Sequence, residues 1–249
     1  MELDELLRRA EDLCRRCEKT ASVTSTAFLT PAEQAEVQKW AAPQGDCTLL
    51  LRGGHQDCER KAAFFLPYYL DAKEFDEAAQ IKVIRAVAGF GEPGHRDYLG
   101  AALGLGIRRE WLGDIWIDGP AAYLFCLPSV ESHLLGSLDK VGRFGVRTES
   151  VLLSAVPAPE RRVQVRSFTV QSPRLDTVLS GLFHLSRTAA AELIQAGAAT
   201  LNYQPCLKPD APIRVGDVLS LRGHGKGTVA ELGGSSRKGR LFVTAELLL

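Results

Sequence analysis

The chain has 249 residues, enough for two or three domains, and its 45% hydrophobic and 24% charged residues are ordinary for a globular protein. This composition excludes a chain that is disordered overall. The formal net charge is zero, but residues 160–249 carry twelve Lys or Arg against seven Asp or Glu (+5), whereas residues 1–159 carry eighteen against twenty-three (−5). Because charges are screened beyond about 8 to 10 Å at physiological salt, the basic end can attract phosphate independently of the acidic end.

Two further properties indicate where the protein works. No apolar run approaches the roughly 20 residues that span a bilayer, and the first segment reads as a mixed-charge amphipathic helix, so we predict a cytoplasmic protein without a membrane partner. Scattered cysteines are typical of a reducing compartment and predict free thiols. Cys14 and Cys17 form a C-x-x-C without a second close pair, so neither zinc nor any cofactor is predicted. The six cysteines are Cys14, Cys17, Cys47, Cys58, Cys126 and Cys206.

Residues 1–78 predict a small α/β region. It begins with two helices, and the second has a capping box in which Thr30 is the N-cap, Pro31 takes the first helical position and Glu33 reaches back to the cap. A strand at 48–51 follows, and then a polar stretch leads into the apolar run FFLPYYL.

Residues 79–160 predict strand, helix, strand, strand, helix, strand, with an Asp118-Gly119 hairpin between the middle strands. This order is the ferredoxin-like arrangement, which RNA-recognition motifs share with many unrelated proteins. The stacking aromatics of such motifs are not evident, because the first strand offers only Phe90 near its end. The six predicted elements are 81–88, 95–105, 115–117, 121–127, 130–141 and 148–153.

The basic end predicts two short helices packed on a small sheet. Apolar residues from Leu175 to Leu182 form one helical stripe, and a second helix has Ser186 as its N-cap and Gly197 as its stop. A helix start carries unpaired N–H groups and a partial positive charge that attract phosphate. The same dipole disfavours Arg187 there, so this arginine needs a phosphate or an acidic partner such as Asp176.

The residues of this module resemble the S4 RNA-binding domain. The matching pieces are Arg174-Leu175-Asp176, Ser186-Arg187, Ala190, Leu193-Ile194, Gly197, Asn202, Gly216-Asp217 and Ser220. The resemblance implies that the second helix and neighbouring basic residues contact the RNA backbone, and it sets the domain at 168–246. The alternative for Arg174 and Arg222 is a solvated surface arginine. The implied RNA-binding residues are Arg174, Ser186, Arg187, Thr188, Lys208 and Arg222.

Residues 222–227 and 235–240 are rich in glycine and basic residues. They lack the helix and the Ser or Thr of a P-loop, so we predict a flexible basic loop that follows RNA backbone, with a solvated hairpin tip as the alternative. The basic residues of this loop are Lys226, Arg237, Lys238 and Arg240.

Further motifs extend the resemblance to the YlmH family over nearly the whole chain. They are His95-Arg96-Asp97-Tyr98-Leu99-Gly100, Gly106-Ile107-Arg108-Arg109, Gly113-Asp114-Ile115, Phe28-Leu29-Thr30-Pro31, Gly53-Gly54 and Glu59-Arg60. The resemblance implies a bacterial cytoplasmic protein with an RNA-recognition-motif-like middle domain. It further implies a ribosome-associated role on rRNA or tRNA of the large subunit, in translation quality control.

Enzymatic interpretations find less support. His95-Arg96-Asp97 resembles the H-R-D of protein kinases, but the other kinase motifs are absent. Arg174-Leu175-Asp176 resembles a pseudouridine-synthase motif, but here it opens a helix of the RNA-binding module. We predict a non-enzymatic protein without a small-molecule substrate; an RNA-modifying enzyme and a protein-interaction scaffold remain alternatives. A second candidate RNA or partner surface comprises His95, Arg96, Arg108 and Arg109.

Overall fold

The computed structural model describes residues 3–41, 47–159, 163–235 and 239–248. The chain divides into two compact units, Met1–Pro159 and Glu160–Leu249. The first unit takes in both regions that the sequence separates at residue 78, and that boundary stays a prediction.

In the described residues of the first unit, five helices combine with two antiparallel sheets. The predicted capping box at Thr30 is confirmed, since the Thr30 N–H donates to Glu33 (2.7 Å) and the Glu33 N–H donates to the Thr30 hydroxyl (3.3 Å). Short 3-10 turns cover Arg109–Trp111 and Leu153–Ala155. The elements are α1 Leu3–Thr20, β1 Thr24–Leu29, α2 Pro31–Ala41, β2 Thr48–Arg52, β3 Lys61–Leu66, α3 Glu77–Gln80, β4 Lys82–Ala88, α4 His95–Gly104, β5 Leu112–Asp118, β6 Ala121–Cys126, α5 Pro128–Ser137, β7 Lys140–Val141 and β8 Phe144–Val151.

These elements stack in four layers. Helices α1 and α2 cover one face of the small sheet β1-β3-β2, whose other face packs on the five-stranded sheet β5-β6-β4-β8-β7. Helices α4 and α5 cover the far side of the larger sheet. The layer between the two sheets is apolar and includes Phe28, Phe64, Val83, Tyr123 and Phe125.

Strand β3 lies at the centre of this stack and is buried on both faces. Because side chains alternate along a strand, Phe64 points to the larger sheet and Phe65 to the helices, and both are fully buried. The strand ends before Pro67, and the following Tyr68 is 94% exposed. The apolar run FFLPYYL is therefore half core strand and half surface turn.

Helix α5 ends four residues before the predicted 141. Gly142 takes a positive φ of 56°, and this turn folds Lys140–Val141 back onto β8 as a two-residue strand. The apolar Val141 that seemed to continue the helix is instead fully buried in the core under α4 and α5.

The second unit is a six-stranded antiparallel sheet, in the order β11-β10-β12-β13-β14-β9, with two helices packed on it. The predicted helical stripe is confirmed, since Leu175, Val178, Leu179 and Leu182 are fully buried. The elements are β9 Val163–Val170, α6 Leu175–Phe183, α7 Arg187–Gln195, β10 Ala199–Leu201, β11 Gln204–Pro205, β12 Val218–Leu221, β13 Gly225–Ser235 and β14 Leu241–Leu248.

The flexible loop predicted around residue 226 is wrong. Lys226 lies in β13, where it pairs with Ser220 on β12 and Leu248 on β14, and only 222–224 form a turn. Glycine is used here for close packing, because a Cβ on Gly227 would lie 2.9 Å from Leu182. Arg237 and Lys238 lie outside the described residues, and Arg240 is exposed immediately before β14.

The prediction of a free thiol is wrong for Cys14, which forms a disulfide with Cys47, whereas Cys17 is free. Cys14 lies on the inner face of α1, and Cys47 lies beside β2, which pairs with β3 under that helix. The two cysteines are 33 residues apart, so the sequence does not show that they are close. The part of the chain that the structure describes holds no cluster of three or more metal-ligating side chains. Within the same residues, no helix is long and apolar enough to cross a membrane.

Candidate nucleic-acid interface

Asp176 is the centre of the charged cluster on the second unit. Its side chain is 4% exposed, in the first turn of α6, and accepts hydrogen bonds from the Arg187 Nε (2.8 Å), the Arg174 Nε (3.2 Å) and the backbone N–H of Thr177 (2.9 Å). Two guanidinium groups thus share one carboxylate. The cluster ties the start of α6 to the start of α7 and leaves one net positive charge at the surface.

Arg187 is the first residue of α7. Ser186 caps this helix, its hydroxyl accepting from the Ala189 N–H at 3.0 Å, and Thr188 is exposed in the first turn. The sequence offers a phosphate or an acidic partner as the reason for an arginine at a helix start. The structure contains the acidic partner, Asp176. The Arg187 side chain is still 56% exposed, so only its Nε edge is engaged by Asp176.

The other predicted residues lie around this unit in separate settings. Lys208 is exposed in the segment after β11, and Arg222 is exposed in the turn between β12 and β13. Lys226 places its Nζ 5.4 Å from the ring centroid of Tyr203, an aromatic residue that the sequence reasoning missed. The feature of the sequence that could have indicated Tyr203 is the turn Asn202-Tyr203. In the structure both residues of this turn take positive φ values, 50° and 66°.

Several residues of the S4 pattern have structural roles. The Asn202 amide donates to Asp217 (2.8 Å) and its carbonyl accepts from the Val218 N–H (2.9 Å), which joins two turns of the sheet. Asp217 also accepts from the Arg214 N–H at 2.7 Å. These hydrogen bonds hold the two turns of the sheet together.

The residues of the second predicted surface lie in the first unit and have different settings there. Arg108 lies over the Trp111 ring at 5.3 Å, and Arg109 donates to the carbonyls of Leu112 (2.7 Å) and Gly113 (3.1 Å). Burial lowers the pKa of His95, and the nearby Arg109 charge lowers it further. Arg96 is exposed in the first turn of α4.

Sequence reasoning missed two residues that adjoin this surface, Arg60 and Asp114. The Asp114 carboxylate accepts from the backbone N–H groups of Glu59 (2.6 Å) and Arg60 (3.1 Å), so it clamps the loop before β3 to β5. Burial raises the pKa of Asp114, and these two hydrogen bonds only partly oppose that rise. Both residues stand in motifs of the family resemblance, Glu59-Arg60 and Gly113-Asp114-Ile115, which was the available signal.

The sheet face that RNA-recognition motifs use for base stacking is covered here. Tyr123 on the central strand β6 is only 8% exposed, because the sheet β1-β3-β2 packs over it, and Trp116 on β5 packs against the same core. The sequence shows no evident aromatic platform on the first strand of this sheet. In the structure, the corresponding face of the sheet is covered by β1-β3-β2.

Comparisons with known proteins agree with these features. Residues 73–155 match a family model described as "Putative RNA-binding domain in YlmH", and residues 173–219 match the S4 domain. The two units thus define a protein of the RNA-binding class. The chain is 31% identical over 221 residues to the ribosome-associated protein quality control protein P2 of Bacillus subtilis, covering 89% of this chain and 86% of that protein. The chain belongs to the YlmH family.

A solved structure adds evidence on the fold alone. The cell division protein ylmH from Streptococcus pneumoniae is 20% identical and superposes with a TM-score of 0.50, over 61% of this chain and 92% of that one.

Proposed function

We propose that this protein is a non-enzymatic RNA-binding protein that docks through its C-terminal unit on rRNA or tRNA of the large ribosomal subunit, in translation quality control. The observation that carries the proposal is the Asp176 cluster, in which a buried carboxylate holds Arg174 at the start of α6 and Arg187 at the capped start of α7. The name of the Bacillus subtilis relative, a ribosome-associated protein, supports the ribosome as the partner. Such a partner would put the protein in the cytoplasm.

The cluster has the properties of a phosphate receptor. Asp176 engages the Nε edge of Arg187, which reduces the entropy lost when the exposed Nη edge meets a phosphate. The N–H groups at the start of α7 and the helix dipole add donors and positive potential at the same place. Arg187 and Thr188 therefore bind phosphate in this proposal, with Lys208, Arg222, Lys226 and Arg240 as further contacts.

For the first unit, we propose a ferredoxin-like middle domain that positions the C-terminal unit or contacts a partner. The order β5-β6-β4-β8 with α4 and α5 on one face supports that topology. An RNA-modifying role receives no support from His95-Arg96-Asp97, because Asp97 accepts from the Gly94 N–H (2.8 Å) as part of the helix cap.

The test is co-sedimentation with purified large ribosomal subunits over a salt series. Arg187→Ala removes one phosphate contact, so we expect about tenfold weaker binding and a salt slope reduced by about 1. Arg8→Ala, an exposed arginine of α1, is the matched control and should bind like the wild type. A triple alanine variant of Arg237, Lys238 and Arg240 tests the remaining basic segment.

Two results would contradict the proposal. Binding that is insensitive to salt and to Arg187→Ala would favour the scaffold alternative. A modified nucleoside lost from the RNA of a deletion strain would favour the enzyme alternative.

A further inference from the structure

A cavity of about 510 Å³ opens within the first unit, between the N-terminal elements and the 3-10 turn before β5. Its charged lining has four arginines against three glutamates, Glu5, Glu33 and Glu110. Phe28 also lines it but is only 1% exposed, because its side chain packs in the core between the two sheets. The arginines come from three separate parts of the chain, so no single motif in the sequence reveals them. They are Arg9, Arg60, Arg108 and Arg109.

Arg60 and Arg109 are half-buried cations that donate to backbone carbonyls. Arg60 donates its Nη2 to the Phe28 carbonyl at 2.8 Å, and Arg109 donates to the carbonyls already described. Among the residues that the structure describes, neither has a carboxylate oxygen within 4.0 Å, and the buried Nε of Arg60 has no acceptor. Because burying a charge costs free energy unless the charge is paired, an anion at these two guanidinium groups would reduce that cost.

The acidic groups nearby are already engaged. Glu33 accepts from the N–H and hydroxyl of Thr30, and Asp114 accepts from two backbone N–H groups. Glu110 lies 3.9 Å from Arg108, where both side chains are at least half exposed. Glu33 and Asp114 therefore serve other donors, and with Glu5 and Glu110 included the lining still has one more arginine than glutamate.

The electrostatics agree with this geometry. Burial lowers the pKa of Arg60, and the nearby charges of Glu33, Asp114 and Glu110 oppose that shift. Burial and the neighbouring Arg60 charge lower the pKa of Arg109, and Asp114 opposes them. An anion between the two would relieve both effects, because an opposite charge favours the protonated guanidinium.

We propose that this cavity binds the phosphate of a nucleotide, with Arg60 and Arg109 as its donors. Phosphate offers several acceptor oxygens and up to two negative charges, which suits two guanidinium forks. The volume lies within the range of small-molecule sites, about 300 to 1,000 Å³, and leaves room for a nucleoside beside the phosphate. The site is in the first unit and does not depend on RNA docking by the C-terminal unit.

The first test uses the wild-type chain and phenylglyoxal, which modifies arginines, with peptide mass spectrometry as the readout. AMP should protect Arg60 and Arg109 at least fivefold and leave Arg147 on β8 unprotected, whereas adenosine should protect none of them. Because no substitution is involved, misfolding cannot explain the result.

The second test distinguishes the source of the phosphate, in full-length Arg187→Ala protein so that C-terminal docking is weakened. AMP and a tetraribonucleotide, with or without a 5′-phosphate, are compared by calorimetry. Binding of AMP supports a free nucleotide; binding of the 5′-phosphorylated oligomer alone, with the same protection, supports an RNA end. Arg60→Gln should weaken binding at least tenfold and the control Arg147→Gln, at an exposed arginine of β8, should not. If no phosphate probe protects Arg60 and Arg109, the proposal is overturned.

Discussion

At the scale of single residues, Asp176 does two things with one carboxylate. It is almost fully buried yet fully hydrogen-bonded, and it offsets two arginines that are 37% and 56% exposed. A buried charge is tolerated only when it is paired in this way, so the position accepts few substitutes.

We expect Asp176→Asn to lower the free energy of unfolding by about 2 kcal/mol, because charge-assisted hydrogen bonds become neutral ones and two arginines lose their counter-charge. Urea denaturation followed by circular dichroism measures the change. Asp210→Asn, at an exposed turn in the same unit, is the control and should be neutral. Equal stability of the two variants would mean that the cluster contributes nothing to folding.

Asp114 predicts a pH dependence. Its folded pKa is raised above 3.8, so the folded state binds a proton more readily than the unfolded state. The penalty of burying the carboxylate is present at neutral pH and is relieved as pH falls through the raised pKa towards 3.8. Asp114→Asn lacks this proton, so the stability of the wild type relative to the variant should rise from pH 7 to about pH 4. A difference that is flat or falls over this range in urea titrations would refute the assignment.

Residue partnerships were predictable where they were local. Asp176 and Arg187 are joined by a helix and a short turn, and the dipole argument alone pointed to an acidic partner. Arg60 and Asp114 are 54 residues apart and meet only because two sheets pack face to face, which no local pattern encodes.

At the scale of elements, close packing between α6 and β9 depends on Gly181. A Cβ at this position would overlap the ring of Phe168, which lies against the helix. The S4 helix pair is thereby pressed onto an edge strand that the sequence reasoning did not predict.

We expect Gly181→Ala to destabilise the protein by about 1 to 3 kcal/mol, because the Phe168 ring must move from its packed position. Gly100→Ala, inside α4 with nothing near its Cβ, is the matched control and should stabilise by about 0.5 to 1 kcal/mol through helix propensity. Thermal unfolding of both variants gives the comparison. A stabilised Gly181→Ala protein would show that the contact is loose.

Helices with caps were predicted well, and strands without a clear alternation were not. The start of α7 followed from Ser186 and that of α2 from Thr30, since a cap is a local hydrogen bond. The sequence of β13 resembles a loop because it is rich in glycine. In the structure Gly227 allows the close approach of Leu182, which is a tertiary contact. The candidate site shows the same contrast between local and tertiary contacts. The sequence predicted the pairing of Arg187 with Asp176, but it did not predict the contact between Lys226 and Tyr203.

At the scale of the whole molecule, the four-layer stack joins the N-terminal elements to the middle domain. Strand β3 belongs to two apolar cores at once, so the small sheet and the larger sheet depend on each other. The charge division of −5 and +5 falls between the two compact units, as the sequence indicated.

We therefore expect a fragment of residues 73–155 to be aggregated or only partly folded, because it exposes the apolar face that includes Val83 and Phe125. A fragment of residues 3–159 should be monodisperse and unfold cooperatively. Size-exclusion chromatography and thermal melts compare them. A well-folded 73–155 fragment would show that the N-terminal sheet is dispensable.

The covered sheet face also bears on selectivity among RNAs. A domain that stacks bases on its sheet can distinguish one nucleotide sequence from another, but here that face lies under β1-β3-β2. RNA that meets the middle domain can reach only its loops, helix ends and strand edges, which favour contacts with sugar and phosphate. Discrimination by this domain would then follow the folded shape of the RNA, so an altered target sequence with the same fold should be bound equally well.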